Sequence, residues 1–387
     1  MEVITENKFI PKLRFKEFDD DWILKKIDKI APLQRGFDLP LRKIQKGNYP
    51  VVYSNGILRT HNEYKVKGEG VVTGRSGTIG KVTFVKENHW PHNTTLWVTN
   101  YFNNNKKFIY YFYLQLKLQR FNAGSTVPTL NRNDVHFLNK RIPNQIKEQQ
   151  KMASFLTVVD EKLQQLTKKK ELIEDFKKGI MQKIFSQEIR FKDDNGNNYP
   201  DWEEKNLGEL CELKNGYAFK SATYVSGGYY NIVTIKNVQD GRMVNDFKTL
   251  NNIPSNLESH QILHLDDILI SMTGNVGRVC KVKFKNCILN QRVGKIIPKN
   301  VFKNYLYYIL NSKKFLKSME NIGQGAAQMN IGTKDILVFK SIHPNSVQEQ
   351  QKIANFLSAI DNKIESVSVQ IEKTKEFKKG LLQQMFV

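Results

Sequence analysis

A long internal repeat limits the folds open to this chain more than any other feature of its 387 residues. The tetrapeptide Glu148-Gln149-Gln150-Lys151 returns 201 positions later as Glu349-Gln350-Gln351-Lys352. From there, 148–186 and 349–387 align without a gap and share 16 of 39 residues. Because this period is far longer than that of a solenoid repeat, we expect two similar units of domain size.

Shorter matches upstream extend the repeat toward the N-terminus. Arg14-Phe15-Lys16 pairs with Arg190-Phe191-Lys192, and Trp22 pairs with Trp202. Three further pairs are Gln34-Arg35-Gly36-Phe37 with Lys214-Asn215-Gly216-Tyr217, Gly77 through Val82 with Gly274 through Val279, and Gly124 through Asn131 with Gly323 through Asn330. The separation grows from 176 to 201 residues along the chain, which predicts insertions in the second copy.

The repeated segments are predicted to be long helices that pair with each other. Apolar residues recur in alternating steps of four and three, which is the pattern of a coiled-coil seam. The predicted seam residues are Leu156, Val159, Leu163, Leu166 and Ile173 in the first copy and Leu357, Ile360, Ile364, Val367 and Ile371 in the second. Each helix would hold about 38 residues and span about 57 Å. A short amphipathic helix would pack on its own domain instead, but this seam continues for about ten turns.

The segments before the helices have a different pattern, rich in β-formers and bounded by glycine. Val71-Val72-Thr73 and Asp267 through Ser271 predict strands. Lys107 through Leu114 and Lys303 through Leu310 predict matching buried helices, with strands as the alternative. We therefore expect an α+β fold in which each domain has a mixed sheet. The predicted division is 1–145, a first recognition domain; 146–186, a central helical spacer; 187–345, a second recognition domain; and 346–387, a C-terminal helical spacer.

The net charge points to a polyanionic partner and locates its binding. The chain has 60 Lys and Arg against 38 Asp and Glu, a formal charge of +22. Residues 11–145 carry +13 and residues 187–345 carry +6, whereas the two helical segments carry +3 and +1. A basic surface that serves only solubility is the alternative. Two globular domains that bind DNA and are held apart by a nearly neutral spacer fit the distribution better.

The cysteines and the N-terminus predict a cytoplasmic protein. Cys211, Cys280 and Cys287 are odd in number and lack CxxC spacing, which favours reduced thiols over disulfides or zinc ligands. None of the seven histidines has metal-binding spacing, so we expect no metal site. The first residues lack the pattern of a secretory signal, and no apolar run is long enough to cross a membrane.

Two polar loops in each half are the candidate DNA contacts. The glycine-rich loop Thr73 through Lys81 offers backbone donors, hydroxyls and cations, and its partner is Thr273 through Arg278. Gly124 through Arg132 and Gly323 through Asn330 form the second pair, and His92-Asn93-Thr94 with Asn290-Gln291-Arg292 a weaker third. An ordinary hairpin or turn is the alternative for each, and recurrence in both halves favours function. The predicted DNA-binding residues are Arg35, Arg75, Ser76, Thr78, Lys81, Asn93, Ser125, Thr126, Thr129, Asn131, Arg132, Lys214, Asn275, Arg278, Gln291, Arg292, Gln324, Gln328 and Asn330.

Catalytic patterns are missing from the sequence. It has no Asn/Asp-Pro-Pro-aromatic segment, so we expect no amino-methyltransferase site. Pro200-Asp201 with Glu203 and Lys205 mimics a nuclease motif, but the spacing is too tight, and we expect a turn there. A stand-alone methyltransferase or nuclease is the main rival to a binding protein, and an RNA-binding or scaffold protein is a third class.

Alternating variable domains and repeated helices resemble the specificity subunit of type I restriction–modification enzymes, a restriction system of host defence. The resemblance rests on Phe155-Leu156, Asp160 and Phe176-Lys177-Lys178-Gly179, which recur 201 residues later, and on the domain-opening Pro11 through Phe15. It covers essentially the whole chain.

The resemblance implies a non-catalytic subunit with several partners. Each variable domain would read one half of a bipartite, asymmetric double-stranded DNA target. The two helices would pack antiparallel, set the gap, and dock two modification subunits that bind S-adenosylmethionine and methylate adenine N6. Restriction subunits, which bind ATP and Mg, would join that core, and this chain would bind no cofactor itself.

Overall fold

The computed structural model describes residues 10–122, 128–323 and 329–387, and these divide into two compact units. The first unit combines the chain up to Lys168 with Ser368–Val387, and the second holds Lys169–Val367. Each unit therefore contains parts of both repeats. The predicted division at residues 145, 186 and 345 stays a prediction.

The first unit, in its described residues, is an α+β structure with three sheets. A four-stranded antiparallel sheet has the order β2-β8-β5-β6, a three-stranded sheet has the order β4-β3-β7 with β3 and β7 parallel, and β1 pairs with β9. The strands are β1 (Ile23–Lys26), β2 (Leu33–Arg35), β3 (Tyr49–Tyr53), β4 (Gly56–His61), β5 (Gly70–Gly74), β6 (Val82–Val85), β7 (Trp90–Pro91), β8 (Thr95–Val98) and β9 (Asn139–Ile142). The helices are α1 (Lys106–Gln115), α2 (Arg132–His136) and the first part of α3 (Ile146–Phe185).

The aromatic helix α1 forms the centre of the first unit's core. Phe108, Tyr111, Phe112 and Tyr113 are buried there. Asn105 precedes the helix, and its side chain accepts a hydrogen bond from the Phe108 amide at 2.8 Å, which satisfies a free donor of the first turn. The predicted buried helix is therefore confirmed at this place.

The second unit repeats this plan with insertions. The order β11-β20-β17-β18 matches the first four-stranded sheet, and β15-β12-β19-β16 contains the parallel pair β12 and β19. The strands are β10 (Glu203–Asn206), β11 (Cys211–Asn215), β12 (Tyr230–Val233), β13 (Val238–Gln239), β14 (Arg242–Met243), β15 (Lys248–Leu250), β16 (Ile262–Leu263), β17 (Ile268–Ser271), β18 (Val279–Lys281), β19 (Cys287–Leu289), β20 (Val293–Pro298) and β21 (Lys340–His343). The helices are α4 (Leu207–Leu210), α5 (Lys303–Leu310), α6 (Lys313–Gly323), α7 (Thr333–Leu337) and α8 (Val347–Met385). The hairpin β13–β14 is one of the predicted insertions, and the predicted mixed sheet is confirmed in both units.

The long helices α3 and α8 both contribute to each unit. In the first unit, Leu156 near the start of α3 shares a core with Met385 at the end of α8. In the second unit, Ile184 at the end of α3 shares a core with Ile353 near the start of α8. The two segments therefore run in opposite directions within each unit. Among the described residues, no helix is long and apolar enough to cross a membrane.

The predicted seam residues face inward along both helices. Leu163, Ile173 and Ile364 are half-buried, and the other seven are buried: Leu156, Val159, Leu166, Leu357, Ile360, Val367 and Ile371. The helices themselves also carry exposed apolar side chains, among them Phe176 and Phe377 at equivalent positions.

The repeated Glu-Gln-Gln-Lys motif attaches each domain to its helix. The buried carboxylate of Glu148 accepts hydrogen bonds from Arg14 Nε at 2.7 Å, Arg14 Nη2 at 2.8 Å and Trp22 Nε1 at 3.2 Å. In the second unit, Glu349 accepts from Arg190 Nη2 at 3.2 Å and from Trp202 Nε1 at 3.0 Å. The upstream pairing of Arg14 with Arg190 and of Trp22 with Trp202 is thereby confirmed, because each pair makes the same contacts.

The segment before each domain forms an equivalent hydrogen bond with the end of a long helix. The Leu13 amide donates to the Gln384 carbonyl at 2.9 Å in the first unit. In the second, the Ile189 amide donates to the Lys183 carbonyl at 3.2 Å. Lys183 and Gln384 are equivalent in the repeat, so both domains start from the same point on a helix end.

Candidate nucleic-acid interface

Three loops of the first unit are joined by backbone hydrogen bonds where β5 ends. The Arg75 amide donates to the Thr94 carbonyl at 2.9 Å. The Gly77 amide donates to the Pro128 carbonyl at 3.1 Å, and the Leu130 amide donates to the Arg75 carbonyl at 2.7 Å. The glycine-rich loop between β5 and β6 is therefore the centre of a surface that also includes the loops before β8 and before α2.

Glycine is required in this loop by its backbone conformation. Gly77 and Gly80 have φ angles of +79° and +76°, in the left-handed region that other residues avoid. Their equivalents Gly274 and Gly277 have φ angles of +71° and +77°. The repeated glycines thus give both units the same loop shape, and the residues between them are free to differ.

Arg35, the last residue of β2, joins the same surface through the segment that follows this strand. The Asn93 side-chain amide donates to the Asp38 carboxylate, and Arg35 Nη2 lies 3.5 Å from an oxygen of the same carboxylate. Asp38 is exposed and sits among the predicted cations. The sequence analysis missed this residue, which holds two predicted DNA-binding residues in place.

The tip of the hairpin between β3 and β4 was also missed. Lys81 Nζ donates to the Asn55 carbonyl, and the Ser54 amide donates to Thr94 Oγ1 at 3.3 Å. The His92 amide donates to the Val52 carbonyl at 2.9 Å, which ties the hairpin to the loop before β8. Ser54 and Asn55 therefore belong to the candidate surface, and the signal that could have found them is the turn sequence Ser54-Asn55-Gly56.

An aromatic pair lies at the edge of this surface. The rings of Tyr53 and His92 are 4.4 Å apart. Burial lowers the pKa of His92, so its imidazole is neutral at pH 7. Among the described residues, no hydrogen-bond partner is present for the buried Tyr53 hydroxyl. The aromatic pair therefore borders the surface without contributing positive charge.

The second unit has the same hydrogen-bond frame. The Met272 amide donates to the Arg292 carbonyl at 3.1 Å, the Gly274 amide to the Met329 carbonyl at 2.9 Å, and the Ile331 amide to the Met272 carbonyl at 3.0 Å. These three bonds correspond one by one to those of Arg75, Gly77 and Leu130. The predicted pairing of Gly77 through Val82 with Gly274 through Val279 is confirmed.

The predicted pairing of the second polar loops is wrong by two residues. β-Bridges join Ser76 to Thr129 and Thr273 to Asn330, so Asn330 is equivalent to Thr129 and not to Asn131. Asn131 corresponds instead to Gly332, and both stand at the N-cap of a short helix. A glycine at the start and an asparagine at the end of both loops suggested the wrong alignment. In the same frame, the position of Arg75 is taken by Met272.

Cations of the second unit are partly neutralised by neighbouring side chains. Arg278 donates to the Gln239 side chain, and its Nε lies 3.8 Å from the Asp240 carboxylate. Both partners come from the inserted hairpin β13–β14. Lys214 Nζ lies 3.8 Å from Glu212. Among the described residues, by contrast, the Arg75 guanidinium has no hydrogen-bond or ion-pair partner, so the first surface presents more unpaired positive charge.

The other predicted residues lie on these loops. Exposed at the surface are Thr78, Asn131, Arg132, Asn275, Gln291, Arg292 and Asn330, and Ser76 and Thr129 are half-buried. The Asn131 side chain accepts a hydrogen bond from the Asn133 amide at 3.0 Å, which gives it a capping role as well. Ser125, Thr126, Gln324 and Gln328 lie outside the described residues. The assignment of all these residues to DNA contacts stays a prediction.

Metal-binding clusters are absent from the described part of both surfaces. Within residues 10–122, 128–323 and 329–387, no three His, Cys, Asp or Glu side chains are grouped to hold a metal ion. The segment that mimics a nuclease motif forms ion pairs instead: Asp201 with Arg190 at 3.5 Å and Glu203 with Lys205 at 3.6 Å. The expected turn there is wrong, because Glu203 and Lys205 lie on strand β10.

Comparison with known proteins identifies the family. The sequence profile of the type I restriction modification DNA specificity domain matches residues 19–175 and again residues 199–375. The MjaVIII specificity subunit, a type I restriction enzyme subunit of Methanocaldococcus jannaschii, is 28% identical over 295 residues, which cover 71% of this chain and 68% of the relative.

Solved structures show the same fold at low identity. The S subunit of a type I restriction–modification system from M. genitalium has a TM-score of 0.63 at 18% identity, covering 98% of this chain and 99% of the other. A chain from a structure of type I restriction–modification complex assembly has a TM-score of 0.51 at 14% identity, covering 94% and 97%. With two profile matches that span most of its length, the chain belongs to the type I restriction modification DNA specificity domain family.

Proposed function

We propose that this protein is the non-catalytic specificity subunit of a type I restriction–modification complex in the cytoplasm, and that each recognition domain reads one half of a bipartite DNA target. One observation carries the proposal. Two loop surfaces have the same backbone frame, but the side chains on that frame differ. Since base-edge contacts select sequence and phosphate contacts supply affinity, a common frame with different side chains suits two different half-sites.

The residue pairs at equivalent positions support an asymmetric target. Arg75 in the first domain corresponds to Met272 in the second, and Thr129 corresponds to Asn330. Arginine pairs with guanine and asparagine with adenine through two hydrogen bonds each, whereas Met272 is buried in the core of the second unit and offers no base contact. The two halves of the target would therefore differ in base sequence.

The helices are proposed to pair as an antiparallel coiled coil that sets the gap between the half-sites. The seam residues are buried or half-buried, and the helix segments run in opposite directions within each unit. A helix of 40 residues is about 60 Å long. One turn of DNA is about 34–36 Å, so this ruler would suit half-sites roughly one and a half turns apart.

The same helices are proposed to dock two modification subunits. Phe176 and Phe377 are exposed at equivalent positions of the repeat, next to the Lys-Lys-Gly of the shared motif. Exposed aromatic side chains on a long helix are typical anchors for a protein partner. The modification subunits would bind S-adenosylmethionine and methylate adenine N6. Restriction subunits with ATP and Mg would complete the complex.

The test is to find the DNA sequence that the complete enzyme modifies. Cells that express this chain with its modification subunits are expected to carry methylated adenines in one bipartite, asymmetric motif, which sequencing of modified DNA reports directly. Replacing residues 11–145 by another such domain should change one half of the motif only. A change in both halves would contradict modular reading.

A matched measurement separates this role from that of an enzyme. The purified chain alone is expected to transfer no methyl group from S-adenosylmethionine, because its sequence has no Asn/Asp-Pro-Pro-aromatic segment. Robust transfer by the single chain would refute the non-catalytic role. Inserting seven residues into 150–185 should lengthen the gap of the motif or abolish binding, and an unchanged gap would refute the ruler.

A further inference from the structure

A polar cluster of three elements interrupts the apolar packing of the first unit. Lys378 Nζ of α8 lies 2.5 Å from a carboxylate oxygen of Asp160 on α3. The Tyr111 hydroxyl of α1 donates to the other oxygen at 2.8 Å and lies 3.2 Å from Thr157 Oγ1. Tyr111 is fully buried, so this cluster joins the recognition domain to both long helices at one point.

The second unit contains the same cluster with the helices exchanged. Lys177 Nζ of α3 lies 2.5 Å from Asp361 on α8. The Tyr308 hydroxyl of α5 donates to the second Asp361 oxygen at 2.7 Å and lies 3.1 Å from Ser358 Oγ. The two lysines and the two aspartates are equivalent in the repeat. In an antiparallel helix pair, the residue numbers of facing positions have a constant sum. This sum is the same for Lys378 with Asp160 as for Lys177 with Asp361, so both clusters require the same antiparallel register.

The lysines of these clusters occupy seam positions. Lys177 follows the seam residue Ile173 by a step of four. Lys378 follows Ile371 by a step of three to Thr374 and a step of four, so both lysines continue the seam pattern. Both side chains are only 19% exposed. The next residue, Lys178, is 79% exposed and pairs with Asp175 on its own helix. Within each Lys-Lys pair, one cation is therefore held between helices and the other faces solvent.

An apolar seam alone does not define one register. Leu, Ile and Val repeat every seven residues, so a slide of one heptad brings similar side chains together again. A buried polar residue at a seam position specifies register, because a slide leaves it without its partner. Each cluster meets this condition, since a slide of α8 on α3 would separate lysine from aspartate and leave the aspartate with its tyrosine only.

We propose that the two Asp–Lys–Tyr clusters fix the register of α3 on α8 and thereby select a single gap length in the DNA target. The inference rests on the proposed function, in which the helix pair is the ruler. A slide of seven residues moves one helix along the other by about 10 Å. Since base pairs are spaced about 3.4 Å apart, the gap would change by about three base pairs.

The test compares two double variants that remove the same charge. Lys177→Met with Lys378→Met removes both cluster lysines. Lys178→Met with Lys379→Met removes the adjacent lysines, which are exposed, and serves as the matched control. Both are measured in the full chain, alone for register and with the modification subunits for the methylated motif.

Register is read by disulfide trapping, independently of DNA. Leu163→Cys with Thr374→Cys places two thiols in the same seam layer of the native register. Leu163→Cys with Leu381→Cys reports a slide of one heptad. The control variant is expected to form the first crosslink and not the second. The cluster variant is expected to form both, and it should methylate motifs whose gap is about three base pairs longer or shorter than the native one.

Each outcome decides the proposal. A folded cluster variant that forms only the native crosslink and keeps one gap would overturn it, and contacts such as the stacking of Phe108 on Phe386 would then fix the register. A slide in the crosslinks with an unchanged gap would overturn the link to DNA and refute the ruler of the proposed function itself. If the double variant does not fold, the single variants Lys378→Met and Lys379→Met are compared. Lys378→Met is expected to form more of the slipped crosslink than Lys379→Met, and an equal amount in both would overturn the proposal.

Discussion

Glu148 and its equivalent Glu349 make the same attachment, but their arginine partners differ in exposure, which predicts unequal effects of the same substitution. Glu148→Ala removes three acceptor bonds and leaves Arg14, whose side chain is 9% exposed, with the Asp20 carbonyl as its one remaining hydrogen-bond partner among the described residues. Removing one partner of a buried pair costs about 3–5 kcal/mol. Arg190 is 24% exposed and keeps the Tyr199 and Pro200 carbonyls and the Asp201 carboxylate. For Glu349→Ala we therefore expect a smaller loss, about 2–3 kcal/mol.

The three cysteines provide an assay that is specific for one unit. Cys211, Cys280 and Cys287 are buried and all lie in the second unit. Burial raises the pKa of Cys211 and Cys280 to about 12 and that of Cys287 to about 11. At pH 8 the folded protein thus has almost no thiolate, and an alkylating reagent reacts only when the unit opens.

The expected labelling rates follow from these energies. Since about 1.4 kcal/mol is a factor of ten, Glu349→Ala should accelerate alkylation about 30- to 150-fold. Glu148→Ala should leave the rate near that of the wild type while lowering the midpoint of urea unfolding more than Glu349→Ala does. Equal acceleration by both variants, or a larger loss of stability in Glu349→Ala, would refute the reasoning from burial.

Other perturbations separate the two units further. Burial lowers the pKa of His343 to about 4, so the neutral ring is kept in the folded state and stability is lost as the pH falls from about 6.5 towards 4. In urea titrations, the free energy of unfolding should fall by about 2 kcal/mol less between pH 7 and 5 in His343→Ile, which copies Ile142 of the first unit, than in the wild type. An unchanged pH dependence would show that another group causes it. Arg75→Ala should weaken binding of the matching half-site by about 1–3 kcal/mol in fluorescence titrations with target DNA. Arg278→Ala, which removes a guanidinium already paired with Asp240, should cost less, and the reverse order would contradict the assignment of Arg75 as a free contact.

The repeat made much of the fold predictable from sequence. The seam residues were found because helix periodicity is a local property, and α1 and α5 because their aromatic runs recur in both copies. The side-chain partners were harder to find. Asp38 and Asp240 approach predicted cations only after the chain has folded, and nothing in their local sequence marks them. The loop alignment failed by two residues because short polar loops carry no periodic signal.

The clusters around Asp160 and Asp361 show what a motif match leaves out. The shared Phe-Lys-Lys-Gly segment and the shared aspartate were both visible as matches. That Lys378 meets Asp160, and Lys177 meets Asp361, depends on the antiparallel arrangement of segments about 180–220 residues apart in sequence. Their tyrosine partners lie within aromatic runs that hydropathy alone assigns to the core.

The hydrogen bond from Leu13 to Gln384 has a consequence for how such genes can be rearranged. It reproduces the bond from Ile189 to Lys183, where the chain is continuous, so the contacts do not distinguish which recognition domain comes first. A circularly permuted chain, opened between Ser186 and Arg190 and joined from the end of α8 to the segment before Arg14, would retain both units. Domain order along the gene would then be free to change while the protein keeps its structure.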